Sequence, residues 1–372
     1  MGLNPLVKGI GLMEFQKMDF KKELAKVSPK LRRGADIYIW GAGGGWEEIR
    51  EEYRILHNIS LEDYIFAFVD NNPEEQKMKF YGKKVISPDN IDIDNAVVLI
   101  CISKEINKDH AVENQLIEMG FSFRNDFFDI VYFNWLSRRY RDYQFSQFKD
   151  IHTGKRCFIV GNGPSLKPSD LELLRDEITF ASNHIYLVYD NTSWRPTYYV
   201  SQDDLFMVAE HKNFSKIVKG IKFFEIDSTL LCEDFEAENA YFFSLDLRAF
   251  HKQLPYKVEF SNEPGLYYWT STVTYTCLQM AAFMGFDKIF LLGVDNNFPV
   301  MRTSNGEIMY TDSKSHFHAD YRKFYYAPDI DLLNSGYETA REHAKENEYK
   351  IYNATRGGKL EVFERVDFDS LF

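Results

Sequence analysis

The sequence predicts an α/β protein built from two Rossmann-like parallel-sheet domains. Three observations predict it. Apolar strands alternate with helical stretches from residue 36 onward; two of those strands, ending at Trp40 and Val160, run straight into glycine turns; and AVVLICIS (96–103) is apolar without alternation, as a strand buried on both faces must be.

The elements follow in order. Residues 1–35 are mixed and Lys-rich, a short helical lead-in. DIYIWGAGGGWEEIREEYRIL (36–56) reads as strand, glycine turn and helix, YIFAFVDNNP (64–73) as a strand ending at Asp70, and KKVISPDNI as a short strand with a turn at Pro88. A helix around 109–119 ends near Gly120, and the first domain spans 36–135. The Arg-rich, aromatic stretch 136–150 is a linker or connecting helix. The second domain, 151–372, opens at KRCFIVGNGPSL (155–166), and ITFASNHIY (178–186), PTYYVSQDD (196–204) and IKFFEID (221–227) are its next strands. TVTYTCLQMAAFM (272–284) has the pattern of an amphipathic helix, with Gly285 placed to stop it. KIFLLGVD (288–295) is a buried strand ending in Asp295, NSGYETAREHAKENEYK (334–350) a helix, and IYNAT (351–355) a terminal strand.

Composition narrows the function. The 372 residues are 45% apolar and 27% charged, enough for about two domains. Forty-four basic against 56 acidic residues leave a net charge of −12, which argues against a nucleic-acid partner. An anion must therefore be held by local geometry. Cys101, Cys157, Cys232 and Cys277 form no CxxC pair and sit at least 45 residues apart, so neither a disulfide framework nor a zinc knuckle is expected. No 18-residue apolar run is present; Lys8 and two glycines interrupt the first apolar stretch, and Leu6 stands where a myristoylation start needs Ser or Thr. The expectation is a soluble, cytoplasmic protein.

The turn Gly41-Ala42-Gly43-Gly44-Gly45-Trp46 occupies the place where a dinucleotide fold holds its pyrophosphate, with Asp70 positioned for a ribose hydroxyl. Trp46 replaces the last glycine of GxGxxG, so the alternative is a module that kept the turn without the ligand. In the second domain, Gly161-Asn162-Gly163-Pro164-Ser165-Leu166 follows an apolar strand. Glycines and Asn permit positive φ, so successive amides can converge on an anion, with Asn162 and Ser165 adding side-chain hydrogen bonds. Ser169 and Glu172 are spaced as a capping box, and no GxxxxGK[ST] is present. Asn183 ends the next strand at the carboxyl edge, where ligands bind. Asp203 and Asp204 end another; they can hold Mg²⁺, orient sugar hydroxyls or cap a helix. Thr270-Ser271-Thr272 precedes a helix and suits a phosphate or simple N-capping. His316 and His318 are the one close His pair; without a third fixed ligand, one of them is better read as a general base poised near neutral pH than as a metal ligand. Tyr310, Tyr321, Tyr325 and Tyr326 either donate to a leaving phosphate or pack.

Two resemblances follow from these blocks. Gly41-Ala42-Gly43, Phe68-Val69-Asp70-Asn71-Asn72-Pro73 and Gly82…Val85-Ile86-Ser87-Pro88 resemble the Rossmann-like modules found beside surface-polysaccharide enzymes. Across roughly 155–356, Ile159–Leu166, Asn183, the block Thr270-Ser271-Thr272 through Gly285-Phe286 to Ile289…Gly293…Asp295, the His segment and Tyr352-Asn353 resemble the bacterial CMP-sialic acid-type glycosyltransferases, with their GT-A-variant fold, and the wider 6-hydroxymethylpterin diphosphokinase-like superfamily.

The resemblance implies a CMP-sugar donor held by Gly161, Asn162, Gly163, Ser165 and Asn183, with Asp203 and Asp295 at the same edge; Thr270, Ser271, Thr272, Tyr310 and Tyr321 at its phosphate; and His318 or His316 as base. It implies a sialic acid or other nonulosonate passed with inversion to an oligosaccharide or lipid-linked acceptor of a capsule or lipopolysaccharide. No cofactor is required on this reading, and peripheral attachment at the inner face of the membrane and a homo-oligomer are both compatible with it. The Asp203-Asp204 pair is more typical of the metal-using relatives, which keeps open an ATP- and Mg²⁺-dependent diphosphokinase. A non-catalytic nucleotide-sugar-binding module is the third reading.

Overall fold

The computed structural model describes residues 19–41, 43–102, 107, 110–123, 125–129, 145–246, 258–303, 306–310, 316–317 and 327–372. The chain divides into two compact units, one of residues 14–141 and one containing 142–372.

In the first unit, helices α1 (Phe20–Val27) and α2 (Pro29–Arg32) lead into β1 (Asp36–Trp40), α3 (Gly44–His57), β2 (Ala67–Val69), β3 (Lys79–Phe80), β4 (Lys83–Ile86), β5 (Ala96–Ile100), α4 (Ala111–Glu118) and β6 (Phe127–Asp129). The sheet order is β3-β4-β2-β1-β5-β6, parallel except for the β3–β4 pair. Alternate residues of β1 feed opposite cores: Ile37 and Ile39 pack with Trp46, Ile49 and Tyr53 of α3, and Tyr38 and Trp40 with Val112 and Leu116 of α4. Both faces are thereby buried, as in the predicted doubly covered sheet.

The glycine turn of this unit is a packing device. Gly41 has φ +95°, and a Cβ there would overlap Ile102 and lie 3.3 Å from the Cys101 carbonyl, so only glycine fits. Its amide donates to Val69 O at 3.2 Å. The Trp46 indole is fully buried, edge-on to Phe68 at 5.3 Å. Asp70 accepts from the Asn72 amide at 2.8 Å, closing the turn after β2. These observations favour the reading of a turn that serves packing.

The second unit contains β7 (Arg156–Val160), α5 (Pro168–Leu173), β8 (Ile178–Ser182), β9 (Tyr198–Ser201), α6 (Asp204–Ile217), β10 (Ile221–Glu225), α7 (Ile226–Leu230), β11 (Ala240–Asp246), β12 (Leu266–Tyr268), α8 (Val273–Phe283), β13 (Lys288–Leu292), β14 (Val300–Arg302), β15 (Ile308–Tyr310), α9 (Ile330–Glu346), β16 (Lys350–Asn353) and β17 (Glu364–Arg365). Nine strands form one sheet in the order β12-β11-β10-β9-β8-β7-β13-β16-β17, with every neighbouring pair parallel; β14 and β15 form a separate antiparallel hairpin. From β7 the chain steps outward to β12, then returns to lay β13 on the other side of β7. The crevice between the carboxyl ends of β7 and β13 is the topological switch point, where open α/β sheets bind ligands.

Four local expectations are corrected. Helix α8 is buried nearly all round rather than amphipathic, because it lies inside the main core. The Ser169–Glu172 capping box is not formed; α5 begins at Pro168 behind Lys167, which supplies no side-chain cap, and Glu172 binds the Thr192 hydroxyl at 2.5 Å. Phe145 and Phe148, assigned to a linker, are core residues of the second unit. Strands β3, β6, β11, β12, β14, β15 and β17 stand where the sequence places none.

Candidate functional site

Register places the site. Val160 is level with Leu292 of β13 and Ala181 of β8, so the loops after β7 and β13 leave the sheet side by side. They open a crevice of about 960 Å³, within the size of small-molecule sites.

The loop after β7 works differently from expectation. Neither Gly161 nor Gly163 has positive φ. The loop amides bond within the protein: Gly161 N–H to Leu292 O at 2.8 Å, Gly163 N–H to Gly293 O at 2.9 Å, and Leu166 N–H to Gly163 O at 3.1 Å. The Ser165 amide and hydroxyl both donate to Asp295 Oδ2, the hydroxyl at 2.8 Å. The expected convergence of successive amides on an anion is therefore not formed, since the Gly161, Gly163, Ser165 and Leu166 amides already have acceptors. The glycines serve close approach instead. A Cβ on Gly161 would lie 2.5 Å from Gly293 O, and one on Gly163 would overlap the Asp295 carboxylate. Ser165 does not line the crevice; it orients Asp295, which does. Burial raises the Asp295 carboxyl above its ordinary value, and the two bonds from Ser165 pull it back.

Asn162 and Asn183 both line the crevice. Asn162 Nδ2 donates to Ser182 O at 3.0 Å, while its Oδ1 is buried without a partner. Asn183 has φ +49° and is held by Tyr199 OH on its carbonyl at 2.8 Å. Asp203 and Asp204 both face in, because the chain turns between them. Asp203 caps α6, accepting from Phe206 N at 2.7 Å, and burial raises its carboxyl. Among the described residues no three His, Cys, Asp or Glu side chains are grouped to hold a metal.

The Thr270 block divides. Thr270 is buried outside the crevice against Gly336 of α9, where a Cβ on that glycine would meet its hydroxyl at 2.7 Å. Ser271 (φ +55°) and Thr272 line the crevice, but Ser271 Oγ accepts from Asp329 N at 3.3 Å and Thr272 Oγ1 caps α8 through Thr274 N at 3.2 Å. Tyr310 is 78% exposed and does not line the crevice. His316 does; burial, with His184 next in effect, lowers its pKa to about 4, so its imidazole is neutral at pH 7 rather than poised there. His318, Tyr321, Tyr325 and Tyr326 lie outside the described residues.

Several lining residues escaped the sequence reading. Glu225 ends β10 and caps α7 through Ser228 N at 2.6 Å; burial, with Asp227 adding repulsion, lifts its carboxyl to about 7. Its strand-end place in IKFFEID was a usable signal. His184 directly follows Asn183, and Asn296 and Asn297 directly follow Asp295. Arg302 lies on a hairpin that no pattern announced. Six carboxylates line the crevice: Asp203, Asp204, Glu210, Glu225 and Asp227 around β9 and β10, and Asp295 beyond β13. Arg302 is the sole Lys or Arg among the described lining residues. Such a site can offer a neutral imidazole to a hydroxyl proton, carboxylates to sugar hydroxyls or a cation, and one guanidinium to an anion.

Residues 134–300 match the family model of 6-hydroxymethylpterin diphosphokinase MptE-like proteins, somewhat less than half of the chain. A solved structure of a MAf glycosyltransferase from Magnetospirillum magneticum AMB-1 is similar at 13% identity and TM-score 0.36, covering 95% of this chain and 62% of that one. The chain thus spans less than two thirds of that protein's length. No curated protein matches the chain. Among the described residues, no helix is long and apolar enough to cross a membrane.

Proposed function

We propose that the second unit is a glycosyltransferase of GT-A-variant type that moves a sialic acid or related nonulosonate from a CMP-activated donor to a surface-glycan acceptor. The observation that carries the reading is the switch-point crevice, which gathers Asn162, Asn183, Asp295 and the neutral imidazole of His316 on one cavity. The acceptor hydroxyl gives its proton to His316 as its oxygen bonds to the anomeric carbon. The bond from that carbon to the phosphate oxygen breaks, and CMP leaves with the electron pair. Direct displacement inverts the centre. Positioning and electrostatics supply most of the acceleration. The leaving group is a monophosphate, so the reading requires no metal, and it places the protein in the cytoplasm or against the inner face of the membrane, where such a donor would meet a lipid-linked acceptor.

A second reading has its own support. The matched family model and the carboxylates around β9 and β10 favour a diphosphokinase working on Mg²⁺-bound ATP. Titration calorimetry with CMP, UDP and ATP, each with and without Mg²⁺, separates the two. Binding of CMP without Mg²⁺ supports the transferase; preference for Mg²⁺-ATP overturns it. Nucleotide binding without turnover across a panel of acceptors points instead to a non-catalytic module.

A further inference from the structure

We infer that Arg302, which shares the crevice with Asn296 and Asn297, holds the donor's anion there, pairing with the phosphate or the carboxylate of an activated acidic sugar. The inference rests on the donor reading above and deepens it. It begins from what the glycine loop cannot do. The Gly161, Gly163 and Ser165 amides and the Ser165 hydroxyl have protein acceptors, which leaves the loop the Asn162 amide; Ser271 and Thr272 accept from backbone amides and have only their neutral hydroxyl protons to offer an anion. With six carboxylates around it, an anionic ligand entering the crevice meets repulsion on most sides.

Arg302 offsets that field. Its Nε is buried and has no hydrogen-bond partner. No carboxylate among the described residues lies within ion-pair distance of it. A buried guanidinium N–H without an acceptor is costly, and in a crevice a bound ligand can complete it. Asn296 Oδ1 and Asn297 Oδ1 are also buried without donors. Among the described residues, the buried side-chain atoms without partners that line the crevice include all three of these groups and Asn162 Oδ1. The amide oxygens accept from sugar hydroxyls, and the guanidinium donates in a fork that matches phosphate or carboxylate.

The subsite is fixed by the fold. The Arg302 amide donates to Pro328 O at 2.9 Å, and its strand bridges to Asp329, the cap of α9. Asn296 Nδ2 donates to Asn334 Oδ1 at 3.1 Å, in the first turns of the same helix. Asn296 and Arg302 are therefore both anchored on the start of α9.

The test is calorimetry on the full chain and on Arg302→Ala, Arg302→Lys and Asn297→Asp, using CMP, a CMP-activated nonulosonate and Mg²⁺-ATP, with melting temperatures recorded without ligand. The expected result is a loss of about tenfold to a hundredfold in affinity for Arg302→Ala, the range for removing a charge-assisted hydrogen bond. Arg302→Lys should lose less, and Asn297→Asp should weaken binding by putting a like charge beside the anion. A loss for CMP itself assigns the phosphate; a loss confined to the acidic-sugar donor assigns the carboxylate. Equal affinities in all variants overturn the inference. If the parent chain ignores cytidine nucleotides and binds Mg²⁺-ATP, the donor reading fails, while the same variants with Mg²⁺-ATP still decide the role of Arg302. Failure of Arg302→Ala to fold leaves Arg302→Lys and Asn297→Asp to decide it. Absence of binding to every probe overturns both.

Discussion

Each unit of this protein opens its sheet with a strand running into a glycine turn, and the two turns do opposite things. Gly41 takes a left-handed conformation where a Cβ would meet Ile102, and the Trp46 indole that follows the turn is fully buried against Phe68. Gly161 and Gly163 stay out of that region, and their missing Cβ atoms let the end of β13 approach, bringing Asp295 to the edge of an open crevice. A glycine turn after a strand is thus a statement about close packing. What differs is the surroundings: a buried indole follows the turn in one unit, and a carboxylate and a cavity border it in the other.

The contrast can be broken by substitution. The largest effect on stability is expected for Trp46→Ala, which empties a buried indole site and should cost about 3–5 kcal/mol in denaturant unfolding of the first unit, with nucleotide affinity unchanged. A change in that affinity would give the first turn a binding role. His316→Gln should lower turnover about 10²–10⁴-fold while sparing nucleotide affinity, as for loss of a general base; unchanged single-turnover rates would move the base elsewhere. Gly163→Ala should cost about 1–3 kcal/mol and weaken nucleotide binding as well, because the displaced carboxylate belongs to the crevice wall. Ser165→Ala should cost about 1 kcal/mol and raise the Asp295 carboxyl further, measurable by carbon NMR titration.

Acid should act on the second unit through two buried histidines. His152, bonded to Tyr198 OH at 2.7 Å, and His316 are each lowered by burial from 6.5 to about 4. At these two sites the unfolded chain therefore binds more protons between those values, which should make stability fall as the pH drops from 6.5 toward 4; Glu225, whose carboxyl is raised to about 7, opposes part of that slope because the folded chain holds its proton. Urea unfolding of the parent chain and of Glu225→Gln at a series of pH values checks the slope, and a flat profile in Glu225→Gln would refute the burial of both imidazoles.

Much of the architecture was legible because buried parallel strands leave apolar runs: β1, β5, β7, β8 and β13 stand where IYIW, AVVLI, RCFIV, ITFAS and KIFLL place them. AYFFSLD carries a comparable run and forms β11, a strand the sequence reading does not place. At the site, strand-end residues were visible in the sequence: Asn162, Asn183, Asp203 and Asp295 meet in one cavity. What the sequence concealed is the use of each donor. A serine beside a glycine loop looks the same whether its hydroxyl faces a ligand or, as here, Asp295. Arg302 was invisible for a different reason: it arrives on a hairpin tied to α9, by contacts that have no local pattern.

Three corners of the crevice, Asn183, Ser271 and Asn296, carry side chains in a backbone conformation that glycine normally takes, with φ of +49°, +55° and +50°. Their shape is set when the sheet folds. An arriving molecule then meets walls already cut to form, and little of its binding free energy is diverted into ordering the host. Selectivity in such a cavity is rigid, and widening its range of guests calls for new corners rather than looser loops.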